Sequence, residues 1–132
     1  MKTDLKQINK FRKEFQGKFY KPWTEKDFNR IRKQERIFFL FARNGNGKLV
    51  GIALVYWLET LTKKTVIIED IIVDEKYRNK GYGRMLMEQI TELAKKLNVD
   101  CIEADVRKEA WGFYKKFGFK NRHNIAVRIW LK

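Results

Sequence analysis

The stretch from Thr65 to Leu97 constrains the fold more than any other part of the chain. It opens with Val66-Ile67-Ile68-Glu69-Asp70-Ile71-Ile72-Val73, rich in the β-branched residues that suit a half-buried pleated surface. Next comes a basic, glycine-bearing segment, Arg78-Asn79-Lys80-Gly81-Tyr82-Gly83-Arg84. Beyond it Leu86, Ile90, Leu93, Ala94 and Leu97 recur at helical spacing. A strand therefore feeds a loop, and the loop opens a helix. The first N–H groups of a helix have no partner within it and carry the positive end of its dipole, so they attract an anion. Gly81 and Gly83 let the backbone approach a phosphate without a Cβ in the way. An ordinary strand-to-helix turn would use the same residues, so this stretch alone leaves both readings open.

The rest of the chain narrows the choice. At 132 residues it has room for a single domain, 1–132, with a real core. A hydrophobic share of 44% and an aromatic share of 14% exclude a disordered chain. No apolar run approaches the roughly 20 residues that span a bilayer, and the N-terminus lacks the apolar core of a signal peptide. No membrane partner is expected. Cys101 is the sole cysteine and His123 the sole histidine, so neither an internal disulfide nor a zinc ligand cluster can be written. A cytoplasmic, metal-free protein is the expectation. The net charge of +14 favours anionic partners, nucleic acid among them, although a solubilising surface accounts for it equally well. The first 36 residues hold 12 basic and 5 acidic side chains and are the most basic part.

In chain order, Asp4 to Phe15 reads as an amphipathic helix with Leu5, Ile8, Phe11 and Phe15 on one stripe. Lys18 to Lys21 reads as a short strand before Pro22. Thr24 then caps a helix from Glu25 to Gln34, with Asp27 three residues on and Phe28 and Ile31 buried. Ile37 to Arg43 is a strand, Asn44-Gly45-Asn46-Gly47 a hairpin turn, and Lys48 to Trp57 the returning strand. Thr65 to Val73 pairs as the third. The apolar runs 37–41 and 49–57 call for cover on both sheet faces. Asp100 to Val106 alternates as a strand after the long helix, which makes a parallel β-α-β unit. Lys108 to Phe117 is a short helix ended by Gly118. Asn124 to Leu131 alternates as a final strand, either within the sheet or paired with another chain in a homodimer.

Two motifs in this order carry a resemblance to a known family. The first is Ile71-Ile72-Val73-Asp74-Glu75-Lys76-Tyr77-Arg78-Asn79-Lys80-Gly81-Tyr82-Gly83-Arg84-Met85-Leu86, and the second is Ala110-Trp111-Gly112-Phe113-Tyr114-Lys115-Lys116-Phe117-Gly118-Phe119. In sequence, spacing and element order they resemble the GCN5-related N-acetyltransferase (GNAT) family over roughly residues 24 to 131. The resemblance implies an α/β (α+β) fold: a mixed, mostly antiparallel central sheet with helices on both faces and a splayed parallel β-α-β unit. It implies acetyl-CoA as co-substrate, a primary amine as acceptor, and direct acetyl transfer.

The resemblance also implies roles. The pantetheine arm would lie along Ile71, Ile72 and Val73, and the Val73 N–H would bind the thioester oxygen. The pyrophosphate would sit on N–H groups from Lys80 through Gly81, Tyr82, Gly83 and Arg84 to Met85, with Arg78, Asn79 and Lys80 beside it. Tyr114 matches the family's tyrosine, which gives a proton or hydrogen bond to the departing sulfur. Glu69 is the leading base, with Asp70, Glu103 and Asp105 as rivals. Strand alternation would allow only one of Glu69 and Asp70 to face the cleft.

The chain departs from the pattern at Arg107, where the family often has Asn, and in its short basic N-terminus. Ile68 to Val73 and Phe113 to Phe119 are similar to strings in glucosamine-6-phosphate N-acetyltransferases, and similar strings occur in many other members. The acceptor stays open: an unspecified primary amine, or an anionic one such as aminoacyl-tRNA or an amino-sugar phosphate. Outside the enzyme class, a non-catalytic module that binds CoA or nucleic acid would keep the same glycine loop.

Overall fold

The computed structural model describes residues 2–17 and 20–132. Helices α1 (Lys2–Gln16) and α2 (Glu25–Arg32) precede strands β1 (Ile37–Arg43), β2 (Leu49–Glu59) and β3 (Lys64–Val73). Helix α3 (Tyr82–Lys96), strand β4 (Cys101–Ala104) and the short helix α4 (Trp111–Lys115) follow. The sheet order is β1-β2-β3-β4, with two antiparallel junctions and then a parallel one across α3. This is the mixed, mostly antiparallel sheet with a parallel β-α-β unit that the sequence implies.

Helical periodicity places a separate core on each sheet face. Leu86, Met87, Ile90 and Ala94 of α3 pack with Val55, Val66 and Ile68. On the other side Ile8 and Phe11 of α1 and Phe28 of α2 pack with Leu49, Ile52 and Ile72. Each such side chain, fully buried, contributes about 1.5–3 kcal/mol, so these stripes outweigh surface pairing in fixing the helices. Thr24 closes the start of α2 as a reciprocal cap: its hydroxyl accepts from the Asp27 N–H at 3.2 Å, and Asp27 Oδ2 accepts from the Thr24 N–H at 2.9 Å.

The hairpin after β1 is a turn from Asn44 to Gly47, closed by the Gly47 N–H on the Asn44 carbonyl at 2.9 Å. Gly47, at φ +79°, supplies the left-handed residue, and a one-residue register shift follows at Arg43. One expected element lies partly outside the described residues, and another differs. Part of the short strand at Lys18–Lys21 falls on Lys18 and Phe19, outside the described residues, as does the side chain of Phe15. Asn124 to Leu131 forms no strand: Ile125, Val127, Ile129 and Leu131 are 81–87% exposed and lie outside both cores. Alternation needs a partner edge to become a strand, and none of the strands β1 to β4 pairs with the tail.

Candidate active site

The site begins where β3 leaves β4. Their parallel pairing runs from Thr65–Cys101 to Ile68–Ala104 and stops there. At that point β3 carries a bulge. Leu54 pairs with Asp70 and Val55 with Ile68, which leaves Glu69 as the inserted residue. The insertion inverts the side-chain phase of the strand. Val66 and Ile68 face the α3 core before it, whereas Ile71 and Val73 face that core after it and Ile72 turns to the α1 side. A bulge also bends and overtwists its strand. The sheet therefore forks, with residues 69–73 forming one bare edge.

Backbone groups on that edge follow from the ladder. The Asp74 N–H donates to the Val50 carbonyl at 2.7 Å, so Val50 and Asp74 form a hydrogen-bonded pair. Antiparallel pairs alternate, so Gly51–Val73 and Ala53–Ile71 are non-hydrogen-bonded pairs whose N–H and C=O groups point away from β2. Ile71 thus offers its N–H and C=O to the fork and Val73 its N–H, the Val73 carbonyl already accepting from Arg78 Nε. Ile72, expected with them, instead directs its main chain to Ile52 and its side chain to the opposite core.

The loop into α3 is shaped by Asn79 at φ +61° and Gly81 at φ +90°, the latter standing as N-cap of α3 with no side-chain cap bond. The Met85 N–H donates to the Gly81 carbonyl at 3.0 Å, the first bond within the helix. The Met85 N–H is thus committed, which corrects its expected place in an anion site; the first-turn donors are those of Tyr82, Gly83 and Arg84. Gly83 has a packing role as well. A Cβ there would lie 3.0 Å from Phe113 Cε1, so its bare Cα is what lets α4 seat against the start of α3.

Cations ring the loop. Arg78 Nε donates to the Val73 carbonyl at 3.1 Å and its guanidinium lies 3.7 Å from Glu14. Lys80 lies over Tyr77, and Arg84 over Phe117. The loop is tied to the fork by Asp74, whose buried carboxylate accepts from Gln7 at 2.7 Å, Lys10 at 3.2 Å and the Lys76 N–H at 3.1 Å. Burial alone would raise the Asp74 carboxyl; the donors of Lys76, Gln7 and Lys10 together hold it below its usual range.

Tyr114 is buried on α4 between the edges of Phe113 and Phe119, with ring centroids 5.4 Å away in each case. Burial, and behind it the charge of Asp70, pushes its phenol up to about 12. Asp70 lies at the mouth of the fork, open to water yet surrounded by protein. That enclosure raises its carboxyl, Glu69 raises it further, and Arg107 acts the other way. Glu69 and Asp70 are both exposed, because the bulge breaks the strict alternation that would have hidden one of them. The rival Glu103 is committed elsewhere: it pairs with Lys63 at 2.9 Å and with Arg122 at 3.1 Å. Asp105 is exposed beyond the end of β4.

Sequence reasoning missed the bulge, the anchoring carboxylate Asp74, and the contact between Gly83 and Phe113. Only Asp74 carried a signal, as the acid that ends an apolar strand two residues before the Lys76 amide it caps. A broad open groove lined by Lys6, Lys10, Lys13 and Lys48 runs beside α1 and includes none of the fork residues. No helix among the described residues is long and apolar enough to cross a membrane.

A forked mixed sheet, helices on both faces, a glycine-capped helix at the fork and a tyrosine beside it define an acetyltransferase-type domain. The chain belongs to the acetyltransferase (GNAT) family, whose profile matches residues 8–119. An uncharacterized N-acetyltransferase of Methanocaldococcus jannaschii is 32% identical over 118 residues, 85% of this chain and 51% of that protein, so the chain spans about half of that relative's length. A glucosamine 6-phosphate N-acetyltransferase of Dictyostelium discoideum is 29% identical over 88% of this chain and 76% of its own. In fold, the chain superposes on a Trypanosoma brucei acetyltransferase with a TM-score of 0.82 at 22% identity, covering 99% of this chain and 95% of that one.

Proposed function

We propose that this protein is an acetyl-CoA-dependent N-acetyltransferase acting on a primary amine. The observation that carries the reading is the fork itself: the main-chain groups of Ile71 and the N–H of Val73, turned away from β2, lie between the glycine-capped start of α3 and the Asp70–Tyr114 pair. These parts suit coenzyme A. The N–H groups of Tyr82, Gly83 and Arg84 would hold the pyrophosphate with Lys80 and Arg78 nearby, and the open edge of β3 would hydrogen-bond an amide-bearing arm. When bound, acetyl-CoA supplies a thioester whose acetyl group moves to the amine nitrogen as the C–S bond breaks.

The chain's own groups divide the remaining work. The Val73 N–H, on the open side of β3, would stabilise negative charge on a carbonyl oxygen. Tyr114 keeps its proton: a phenol near 12 lies well above a thiol's ordinary value of about 8.5, so it donates a hydrogen bond to a departing thiolate instead of surrendering the proton outright. The paired carboxylates at the bulge, Glu69 and Asp70, take the amine proton directly or through water. Asp70's raised carboxyl makes it a stronger proton acceptor than an ordinary aspartate.

Among amines, an amino-sugar phosphate is favoured by the likeness to the Dictyostelium protein and by a net charge of +14, which attracts anions. A screen of acceptors with acetyl-CoA, read by thiol release, tests both levels. Glucosamine 6-phosphate, glucosamine, aminoacyl-tRNA and lysine peptides form its arms. Thiol release with any amine supports the activity, and a clear preference for the phosphorylated sugar supports the acceptor. No release with any arm, despite bound acetyl-CoA, leaves a CoA-binding module in its place.

A further inference from the structure

We infer that the lysine-lined groove beside α1 is a binding track for single-stranded nucleic acid, held through its phosphates and through stacking of a base on Tyr20. The track lies apart from the fork and is independent of the reaction proposed above. It rests on the order of the charges along the groove, on the groove's shape and on the aromatic ring in its wall.

The charges form a row. Lys6, Lys10 and Lys13 stand at i, i+4 and i+7 on α1, so they follow one another at about 6 and then about 4.5 Å along one helix face. All three are exposed, and Lys48, just before β2, adds a fourth exposed ammonium to the wall. Like charges three and four residues apart on a helix repel, and a polyanion laid along the row relieves that repulsion. Few local carboxylates compete for these cations. Of the two that line the groove, Asp4 is held by Arg43 at 2.9 Å, which leaves Glu25 against the four lysines. Asp74, the partner of Lys10, is buried below the surface. Lys6 and Lys13 make no ion pair among the described residues. The field of the whole chain, at +14, draws a polyanion towards this face.

Shape and wall select the kind of polyanion. The groove has a volume of about 1040 Å³ and is open to water, so it admits a passing strand as well as a single small anion. A bilayer would need an apolar row beside the lysines to enter its headgroups. The other exposed side chains described on α1, Glu14 and Gln16, are polar, so α1 offers no such row. Tyr20 lines the same groove, with the Arg12 guanidinium 5.8 Å from its ring centroid. Proteins that hold single strands combine a basic groove along the backbone with rings on which bases stack, and such stacking accepts any base.

Fluorescence anisotropy with a labelled single-stranded oligonucleotide, as RNA and as DNA, tests the track in the full chain. Between about 50 and 200 mM salt, log K should fall against log salt with a slope of about −2 to −3, the value for about four phosphate contacts on a single strand. The double variant Lys6→Gln, Lys13→Gln should reduce the steepness of that slope by about 1–1.5. The control Lys95→Gln, Lys96→Gln, an equal charge change at the exposed end of α3, should leave it unchanged. Tyr20→Leu should weaken binding roughly 5- to 30-fold at the wild-type slope, and all variants should keep the wild-type far-ultraviolet spectrum. Binding of RNA alone or of DNA alone would support the track and name its source. Absence of binding at about 50 mM salt would overturn the inference. An equal loss in both lysine variants would overturn it too, since net charge alone would then account for binding. Three further results would overturn the single-stranded occupant: tighter binding of a duplex, binding of phosphatidylserine vesicles with neither oligonucleotide bound, or wild-type affinity in Tyr20→Leu.

Discussion

Tyr114 and Asp70 form an electrostatic couple across the fork: the phenol is pushed up to about 12 by its burial and then by the carboxylate's charge. An acid at the β3 bulge thus acts on the protonation of one on α4. This coupling gives the site measurable signatures.

Replacing Tyr114 by Phe should cost about 10²–10³ in turnover, the usual loss on removing a hydrogen-bond donor to developing negative charge. Affinity for acetyl-CoA should change little, because the ring and its packing remain. Turnover equal to wild type would reduce Tyr114 to a core aromatic. The same variant has a stability signature. The folded phenol holds its proton more tightly than the unfolded one, so its contribution is complete below about pH 10 and is lost as pH rises from about 10 towards about 12. Wild type should therefore lose up to about 2–3 kcal/mol in that window beyond what the Phe variant loses, read by denaturant titration at each pH.

The bulge carboxylates should separate in pH–rate profiles. Glu69 is one cause of Asp70's raised carboxyl, so Glu69→Gln should move the acid limb of kcat/KM to lower pH. Asp70→Asn should remove that limb and also lower the Tyr114 pKa, visible as an earlier onset of phenolate absorbance. An acid limb unchanged in both variants would assign the proton acceptor to another residue.

Two glycines should fail for different reasons. Gly81→Ala meets open space but must hold φ +90°, a cost of roughly 1–2 kcal/mol from backbone conformation alone. Gly83→Ala sits in a helix, where Ala is intrinsically better by about 1 kcal/mol, but its Cβ would be 3.0 Å from Phe113. We expect the clash to win, with turnover falling more than stability because Phe113 adjoins Tyr114. Combining Gly83→Ala with Phe113→Leu should recover part of the lost turnover, and a double-mutant cycle measures it.

Asp74→Ala should cost about 1–3 kcal/mol, since it strips the Gln7 side chain and the Lys76 N–H of their acceptor. The ion pair to the half-exposed Lys10 adds little. Because the folded carboxyl is held below its unfolded value, its stabilisation is present above about pH 4 and is lost as pH falls through the folded value. The stability gap between wild type and Asp74→Asn should therefore narrow in acid, checked by urea midpoints between neutral pH and about pH 3.

Much of this was legible in the chain because the informative signals are local. Periodicity located α1, α2 and α3, Thr24 and Asp27 announced a cap, and the β-branched run before Gly81 gave the strand, loop and helix order. What stayed hidden depends on register. Nothing in Ile68-Glu69-Asp70-Ile71 says that Glu69 is inserted, since bulge placement is settled by β2's pairing across the sheet. Asp74 looks like a surface acid until α1 brings Gln7 and Lys10 to it from more than 60 residues away. The tail shows the reverse failure: its alternation was plain, but alternation names no partner.

For the fold, as distinct from the reaction, the inserted residue at position 69 makes that stretch of β3 tolerant of replacement and intolerant of loss. Any side chain can stand at an exposed bulge, yet deleting Glu69 would return Ile71 and Val73 to the α1 face and drive Ile72 into the α3 core. The fork, the main-chain groups it bares and the two hydrophobic layers would be rewritten together. The length of the strand at this position, more than the identity of the side chain there, fixes the fold.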